Sequence, residues 1–312
     1  MDSAALDRFE ASRGRLASLA YRLLGSAADA EDAVQDTFLR WQAADRARVQ
    51  VPEAWLTRVV TNLCLDRLRS ARARHERATG DWLPEPLLEG DTMLGPADTF
   101  EQRESVSLAV LILLERLSPV ERAVYVLREA FSYSHAEIAG ILDITESASQ
   151  QHVHRARFRV AAERRRGGEA DPASARRVVE EFLVAATSGR TERLVALLTD
   201  DVTAVSDGAG LGQRLLRYET RERVASFVRG GFKPTPAKRR LAGGSLAIHI
   251  ALVNGSPAVV AVVDDRVVGV VAFEVSDGKV ASLRGIGAAD RLARLNETWR
   301  QREPDAPVID AW

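Results

Sequence analysis

The stretch SHAEIAGILDITESASQQHVHRARFRVAAERR, residues 134–165, decides how the first half of this chain is organised. Ser134-x-x-Glu137 is a capping box and opens a short helix through Leu142. Asp143-Ile144-Thr145 then makes a three-residue turn, and Thr145 with Glu146 restarts a helix that runs to about Arg165. Two helices across so short a turn, the second long and basic toward its end, form a helix-turn-helix pattern, whose second helix enters the major groove of DNA. With Ala148, Val153 and Ala156 as the packed face, Ser147, Gln150, Gln151, His154 and Arg155 point outward. Gln matches adenine and Arg matches guanine, whereas Arg157, Arg159 and Arg164 fall to the phosphates. The competing reading is a plain helical hairpin, and Ser149 stands where an apolar anchor is expected.

Working outward, Val106, Val110, Leu113, Leu114 and Leu117 predict a helix over 100–117, and Ser118-Pro119 opens the next, through Phe131. Toward the start, residues 6–25 predict an amphipathic helix stopped by Gly25. A second helix follows over about 28–43, acidic where the helix dipole is positive, and a third runs from Pro52 to about His75, studded with arginine in its last turns. These three are expected to pack as one bundle. Helical periodicity fails between Arg77 and Pro96, where Trp82-Leu83-Pro84-Glu85-Pro86 sets an aromatic and a leucine beside two prolines, in a segment able to dock.

Beyond Gly167-Gly168 the character changes. Helical patterns over 175–188, 192–198 and 220–228 precede strand-like runs over 246–253, 258–263, 267–275 and 280–285. Asn254-Gly255, Asp264-Asp265 and Asp277-Gly278 between those runs favour hairpins, so an antiparallel sheet with helices on one side is expected, followed by a mobile tail from Arg302.

At 312 residues the chain has room for two or three cores. One cysteine, Cys64, excludes an intrachain disulfide and a thiolate cluster and suits a reducing cytoplasm. No apolar run approaches the ~18 residues of a membrane span. Net charge is −1, with 23 basic against 26 acidic residues up to position 170 and 20 against 18 after it. An acidic patch at Asp29, Glu31, Asp32 and Asp36, and two basic runs at 67–77 and 152–166, suggest a protein partner plus a polyanion, against the alternative of solvated helix surface. The first bundle carries no catalytic constellation: no paired carboxylates with a nucleophile, no Gly-rich phosphate loop and no metal-spaced histidines. His152 and His154 are two apart on a helix and face different ways. In the second half, Asp207 and His249 are the ionisable residues that a ligand-binding or enzymatic cup would use, and a turn-forming Asp and an exposed strand His are the alternatives.

Leu23-Leu24-Gly25-Ser26 with the run from Asp29 to Trp41 resembles region 2 of the extracytoplasmic-function (ECF) sigma factors. The run from Trp55 to Arg69 is similar to the segment that engages the melted −10 element, and 117–125 with 133–139 resembles region 4, the reader of the −35 element. The resemblance implies a sigma factor of the stress-response type that binds core RNA polymerase at the β′ clamp and β flap, with Asp29, Glu31, Asp32, Gln35, Asp36 and Phe38 of the second helix as the core-binding residues that grip the clamp. It places Asn62, Asp66, Arg67, Arg69 and Arg72 on the −10 element, and Ser147, Gln150, Gln151, His154, Arg155 and Arg157 on the −35 element.

The remainder resembles a SnoaL-like domain of the cone-shaped α+β NTF2-like fold, found fused behind sigma regions in one subgroup that shares the Trp-Leu-Pro-Glu-Pro linker. Of that subgroup's Asp-Gly-Gly-Gly-Lys motif this chain keeps Asp207, Gly208 and Gly210, and of its terminal Asn-Pro-Asp-Lys-Leu it keeps Asp290 and Leu292. The resemblance implies that Trp82, Leu83, Pro84, Glu85, Pro86 and these five residues carry a regulatory interdomain contact, with the fused domain replacing a separate anti-sigma protein. The expected organisation is multidomain: region 2 over 1–78, linker 79–99, region 4 over 100–168, SnoaL-like domain 174–300 and tail 301–312.

Overall fold

The computed structural model describes residues 3–73, 82–95, 105–164, 171–210, 214–233, 235–303 and 305–310. Two compact units emerge: Met1–Glu85 with Gly90–Glu163, and Pro86–Glu89 with Arg164–Trp312.

The first unit is helical. Helices α1 (Ser3–Leu24), α2 (Ala27–Ala43) and α3 (Pro52–Ala73) form the expected bundle. Gly25 ends α1 at φ +65°, a left-handed turn that favours glycine, and the Ser26 hydroxyl accepts from the Asp29 N–H to start α2. Trp41 is buried between them and donates its indole N–H to the Ala5 carbonyl at 2.9 Å. Next come α4 (Leu108–Leu114), α5 (Pro119–Glu129), α6 (His135–Leu142) and α7 (Glu146–Arg164). The predicted Ser134–Glu137 capping box is present, and the helix that Ser118-Pro119 opens carries a second one, Ser118 paired to Glu121. α4 is shorter than the expected 100–117, and the first residues of that range lie outside the described set.

The two helical layers of this unit are cross-linked by polar groups. The buried Arg122 guanidinium donates to the carbonyls of Leu23, at 2.6 Å, and Leu114, at 2.9 Å, and pairs with Glu115 at 2.8 Å. Arg22, also buried, donates to the Ser105 hydroxyl at 3.0 Å and the Leu94 carbonyl at 2.9 Å, and lies over the Phe131 ring. Burial lowers the Arg22 pKa to about 10, which leaves it charged at neutral pH. The Thr57 and Tyr133 hydroxyls share a hydrogen bond of 3.1 Å.

The second unit packs α8 (Pro172–Thr187), α9 (Thr191–Ala196), α10 (Arg221–Phe232), α11 (Pro236–Ala242) and α12 (Ala293–Arg300) with a sheet of β1 (Leu198–Ser206), β2 (Leu216–Glu219), β3 (Ala247–Val253), β4 (Ser256–Val263), β5 (Arg266–Ser276) and β6 (Lys279–Ile286). Strand order is β2-β1-β6-β5-β4-β3. The hairpins β3–β4, β4–β5 and β5–β6 are as expected, with Asn254 and Gly255 both at positive φ. The sheet is nevertheless mixed, not wholly antiparallel, because β1 pairs with β6 in parallel. β1 and β2 read poorly as strands, since β1 carries Asp200 and Asp201 and β2 is four residues long. The core joins α8 and α10 to one sheet face, with Phe182 edge-on to Phe273 at 5.2 Å.

The edge strand β3 is covered at both ends. Leu88 bridges Val253, and Ile309 bridges Ile248 with the Ile248 N–H donating to the Ile309 carbonyl at 2.8 Å. Unpaired strand edges invite association, and both segments close one. The described residues 305–310 of the expected mobile tail are therefore docked, a correction to that expectation.

Candidate DNA, polymerase and regulatory surfaces

On α7 the buried stripe is Ser149, Val153, Ala156 and Val160. Ser149 thus is the anchor, made tolerable by a hydrogen bond of 3.0 Å between its hydroxyl and His135 Nδ1. Ala148 is only half-buried, unlike its expected place on the packed face. Ser147, Gln150, Gln151, His154, Arg155 and Arg157 are all exposed. The arginines are not aimed solely at solvent. Arg155 and Arg159 grip the Glu121 carboxylate at 3.3 and 3.0 Å, and Arg157 grips Glu129 at 2.8 Å. Burial works against ionisation of Glu121, but the Ser118 N–H and hydroxyl and the two guanidiniums outweigh it and lower its pKa.

On α2, Glu31, Asp32 and Gln35 are exposed, Asp29 and Asp36 half-buried, and Phe38 packs on Phe9 with ring centroids 4.8 Å apart. Arg67, expected at the −10 element, instead ties this acidic face together: it bonds Asp36 at 2.9 Å and lies 3.7 and 3.8 Å from Asp32 and Asp29. The reason is helix packing, which brings the middle of α3 alongside the first turns of α2. On α3, Asn62 is half-buried, and Asp66 and Arg69 pair at 3.4 Å on the exposed side. Arg72 lies in the last turns of α3, with its side chain outside the described set.

The described linker residues from Trp82 to Leu88 are docked. In the first unit, the Trp82 ring sits against Gly25, where a Cβ would collide with it. Leu83 and Pro84 are buried, the Glu85 N–H donates to the Gly25 carbonyl at 2.9 Å, Tyr21 donates to the Glu85 carbonyl at 2.7 Å, and the Ala27 N–H donates to the Glu85 carboxylate at 3.0 Å. Burial raises the Glu85 pKa, against the hydrogen bonds it accepts at the start of α2. In the second unit, Pro86, Leu87 and Leu88 are buried, and the Leu87 N–H donates to Asn254 Oδ1 at 2.8 Å while the Asn254 N–H returns a bond of 2.8 Å to the Leu87 carbonyl. Leu87, Leu88 and Asn254 were not singled out from the sequence. The two leucines after Pro86 were the available signal, whereas Asn254 reads only as a turn residue.

Asp207 is buried and structural. Its carboxylate accepts from the N–H groups of Ala209 at 2.9 Å, Gly287 at 2.9 Å and Ala288 at 3.0 Å, tying the end of β1 to the end of β6. Gly208 and Gly210 both have positive φ in this loop, and the Gly208 N–H donates to the Ser206 hydroxyl at 3.1 Å. Asp290 is exposed, whereas Leu292 is in the core. A cavity of about 230 Å³ opens beside Asp207, walled chiefly by Phe227, Ile248, Val259, Val271, Leu283 and Ile286. His249 does not face it. On β3 it points opposite to Ile248, is buried rather than exposed, lies edge-on to Trp299 at 5.1 Å, and donates from Nδ1 to the Asp305 carbonyl at 3.0 Å.

A capped helix-turn-helix behind an acidic three-helix bundle defines a promoter-reading initiation factor, and the comparisons agree. The family profiles described as Sigma-70 region 2 and Sigma-70 region 4 match residues 8–74 and 107–159. The ECF RNA polymerase sigma factor SigJ of Mycobacterium tuberculosis is 36% identical over 308 residues, covering 96% of either chain, and the probable ECF sigma factor SigI of that organism is 32% identical over 282 residues, covering 88% of this chain and 90% of its own. The crystal structure of M. tuberculosis SigJ aligns with a TM-score of 0.68 and 34% identity over 93% of this chain and 98% of that one. This chain belongs to the ECF RNA polymerase sigma factors. Among the described residues no helix is long and apolar enough to cross a membrane.

Proposed function

We propose that this sigma factor carries core RNA polymerase to its promoters through the acidic α2 face of Asp29, Glu31, Asp32, Gln35 and Asp36, reads −35 duplex with Gln150, Gln151, His154, Arg155 and Arg157, and meets melted −10 DNA with Asn62, Asp66, Arg69 and Arg72. Arg67 organises the acidic face. The polymerase does the covalent chemistry, and the working compartment is the cytoplasm.

The single observation that carries the regulatory reading is the docked linker, held residue by residue from Trp82 to Leu88. The −35 and −10 elements lie about 25 base pairs, roughly 85 Å, apart along a duplex. A compact body of about 160 residues has a radius of gyration near 15 Å. The helical unit therefore opens to reach both elements, and the fused domain regulates that opening through the linker, in place of a separate anti-sigma protein. Tethering supplies the effective concentration that makes weak docking sufficient.

The test is promoter-dependent transcription by core polymerase with the full chain and with its Trp82→Ala variant. A changed output with an intact fold supports the regulatory role, and an equal output removes the linker from it. The apolar cavity favours ligand sensing over catalysis as a second role for the fused domain, because Asp207 is spent on backbone amides and His249 faces away.

A further inference from the structure

Residues 211–240 hold nine basic side chains against two acidic ones, leaving 34 against 42 in the rest of a chain whose net charge is −1. The run folds into β2, α10 and α11, and its charge stays on the surface. On α10 the buried side is Val224, Ala225 and Val228, with Tyr218 of β2 stacked on Phe227 at 4.3 Å. The opposite side presents Glu222, Arg223, Ser226, Arg229, Gly230 and, at the helix end, Lys233, all exposed. Arg217 on β2 and Arg240 on α11 are exposed on the flanking elements. Part of the charge is committed internally: Arg221 pairs with Asp200 at 2.8 Å, the Arg229 guanidinium gives one donor to the Thr191 hydroxyl at 3.0 Å, and the Lys238 ammonium caps the carbonyls of Gly231, at 2.8 Å, and Lys233, at 3.0 Å, which fastens α11 to the end of α10.

We infer that the outer face of α10, with Arg223, Arg229 and Lys233 as its principal contacts, is a sequence-independent DNA-phosphate-binding surface. The ten helical steps from Arg223 to Lys233 rise about 15 Å. That length of duplex carries about nine phosphate charges. Between the cations stand Ser226 and Gly230, small residues that let a phosphate backbone approach and supply a hydroxyl donor. The face has no aromatic or large aliphatic anchor of the kind that organises a protein interface. A protein that already holds promoter DNA elsewhere on its chain brings such a surface to duplex at high local concentration.

The experiment measures binding of the polymerase holoenzyme, assembled with the full chain, to a 60-base-pair promoter duplex as a function of salt. Each phosphate contact contributes about 0.9 to the slope of log K against log[salt]. The R223Q/R229Q/K233Q variant is expected to lower the slope by about 2.7 and the affinity at 0.15 M salt on the order of 10²-fold. The loss is expected to be equal on a duplex with scrambled −35 and −10 elements. R223K/R229K, which keeps the charge, is expected to retain the slope. An unchanged slope in the glutamine variant overturns the inference, as does loss of slope in the lysine variant. A fall in affinity for core polymerase with the DNA slope intact also overturns it and assigns the face to a protein partner. Failure of the sigma-factor reading itself would appear differently, as absence of initiation by the unmodified holoenzyme.

Discussion

Replacing Arg122 with methionine tests whether the helical unit is held closed by its buried guanidiniums. Methionine keeps the packing of an aliphatic stem but removes the donors to Leu23 and Leu114 and the partner of Glu115. Of these contacts, the one to the Leu23 carbonyl joins α5 to the end of α1, and the other two stay local. A hydrogen bond to a charged group contributes about 1.5–3 kcal/mol. Losing it raises the opening constant about 10- to 150-fold, at roughly 1.4 kcal/mol per factor of ten. Hydrogen exchange followed by mass spectrometry reads that constant directly where local opening limits exchange. Protection in peptides covering 15–25 and 105–125 is expected to fall by that factor, while peptides from β4 to β6 are unchanged, and promoter output rises if closure is inhibitory. Unchanged protection around Leu23 in a folded variant refutes the reasoning, since the guanidinium would then contribute nothing to closure.

Glu121→Gln preserves the capping box but releases Arg155 and Arg159, so −35 duplex affinity should rise a few-fold at low salt, as measured by fluorescence anisotropy. Because the Glu121 pKa is lowered on folding, its stabilisation is present above the ordinary carboxylate range and lost as pH falls through the lowered value, and acid unfolding of the glutamine variant should lack that component. Glu85 has the opposite sign: its raised pKa means that linker docking strengthens as pH falls through the raised value, and Glu85→Gln should abolish that pH dependence in protease-protection assays of the linker. Gly25→Ala should cost 2 kcal/mol or more, roughly 1–2 from the left-handed backbone and the rest from collision with Trp82, seen as a lower Tm and a red-shifted tryptophan emission. Asn254→Gly keeps the positive φ but leaves the buried Leu87 N–H without its acceptor, so exchange over 86–89 should quicken by the equivalent of about 1–3 kcal/mol.

Local chemistry alone determined much of this protein. The two Ser-x-x-Glu caps, Gly25 and the Asn-Gly and Asp-Gly turns set helix starts, a stop and hairpins because each is satisfied within a few residues of itself. Helical spacing likewise showed which face of α7 is exposed, and a count of basic residues over 211–240 was available without any coordinates. What spacing could not supply was partnership between residues far apart in the chain. That Arg67 serves the acidic face, that Ser149 is tolerable in a core because His135 meets it, that β1 runs parallel to β6, and that Asn254 receives Leu87 across 167 residues are all consequences of packing. Buried polar groups must find partners wherever the fold brings them, and only the tertiary structure decides which ones those are.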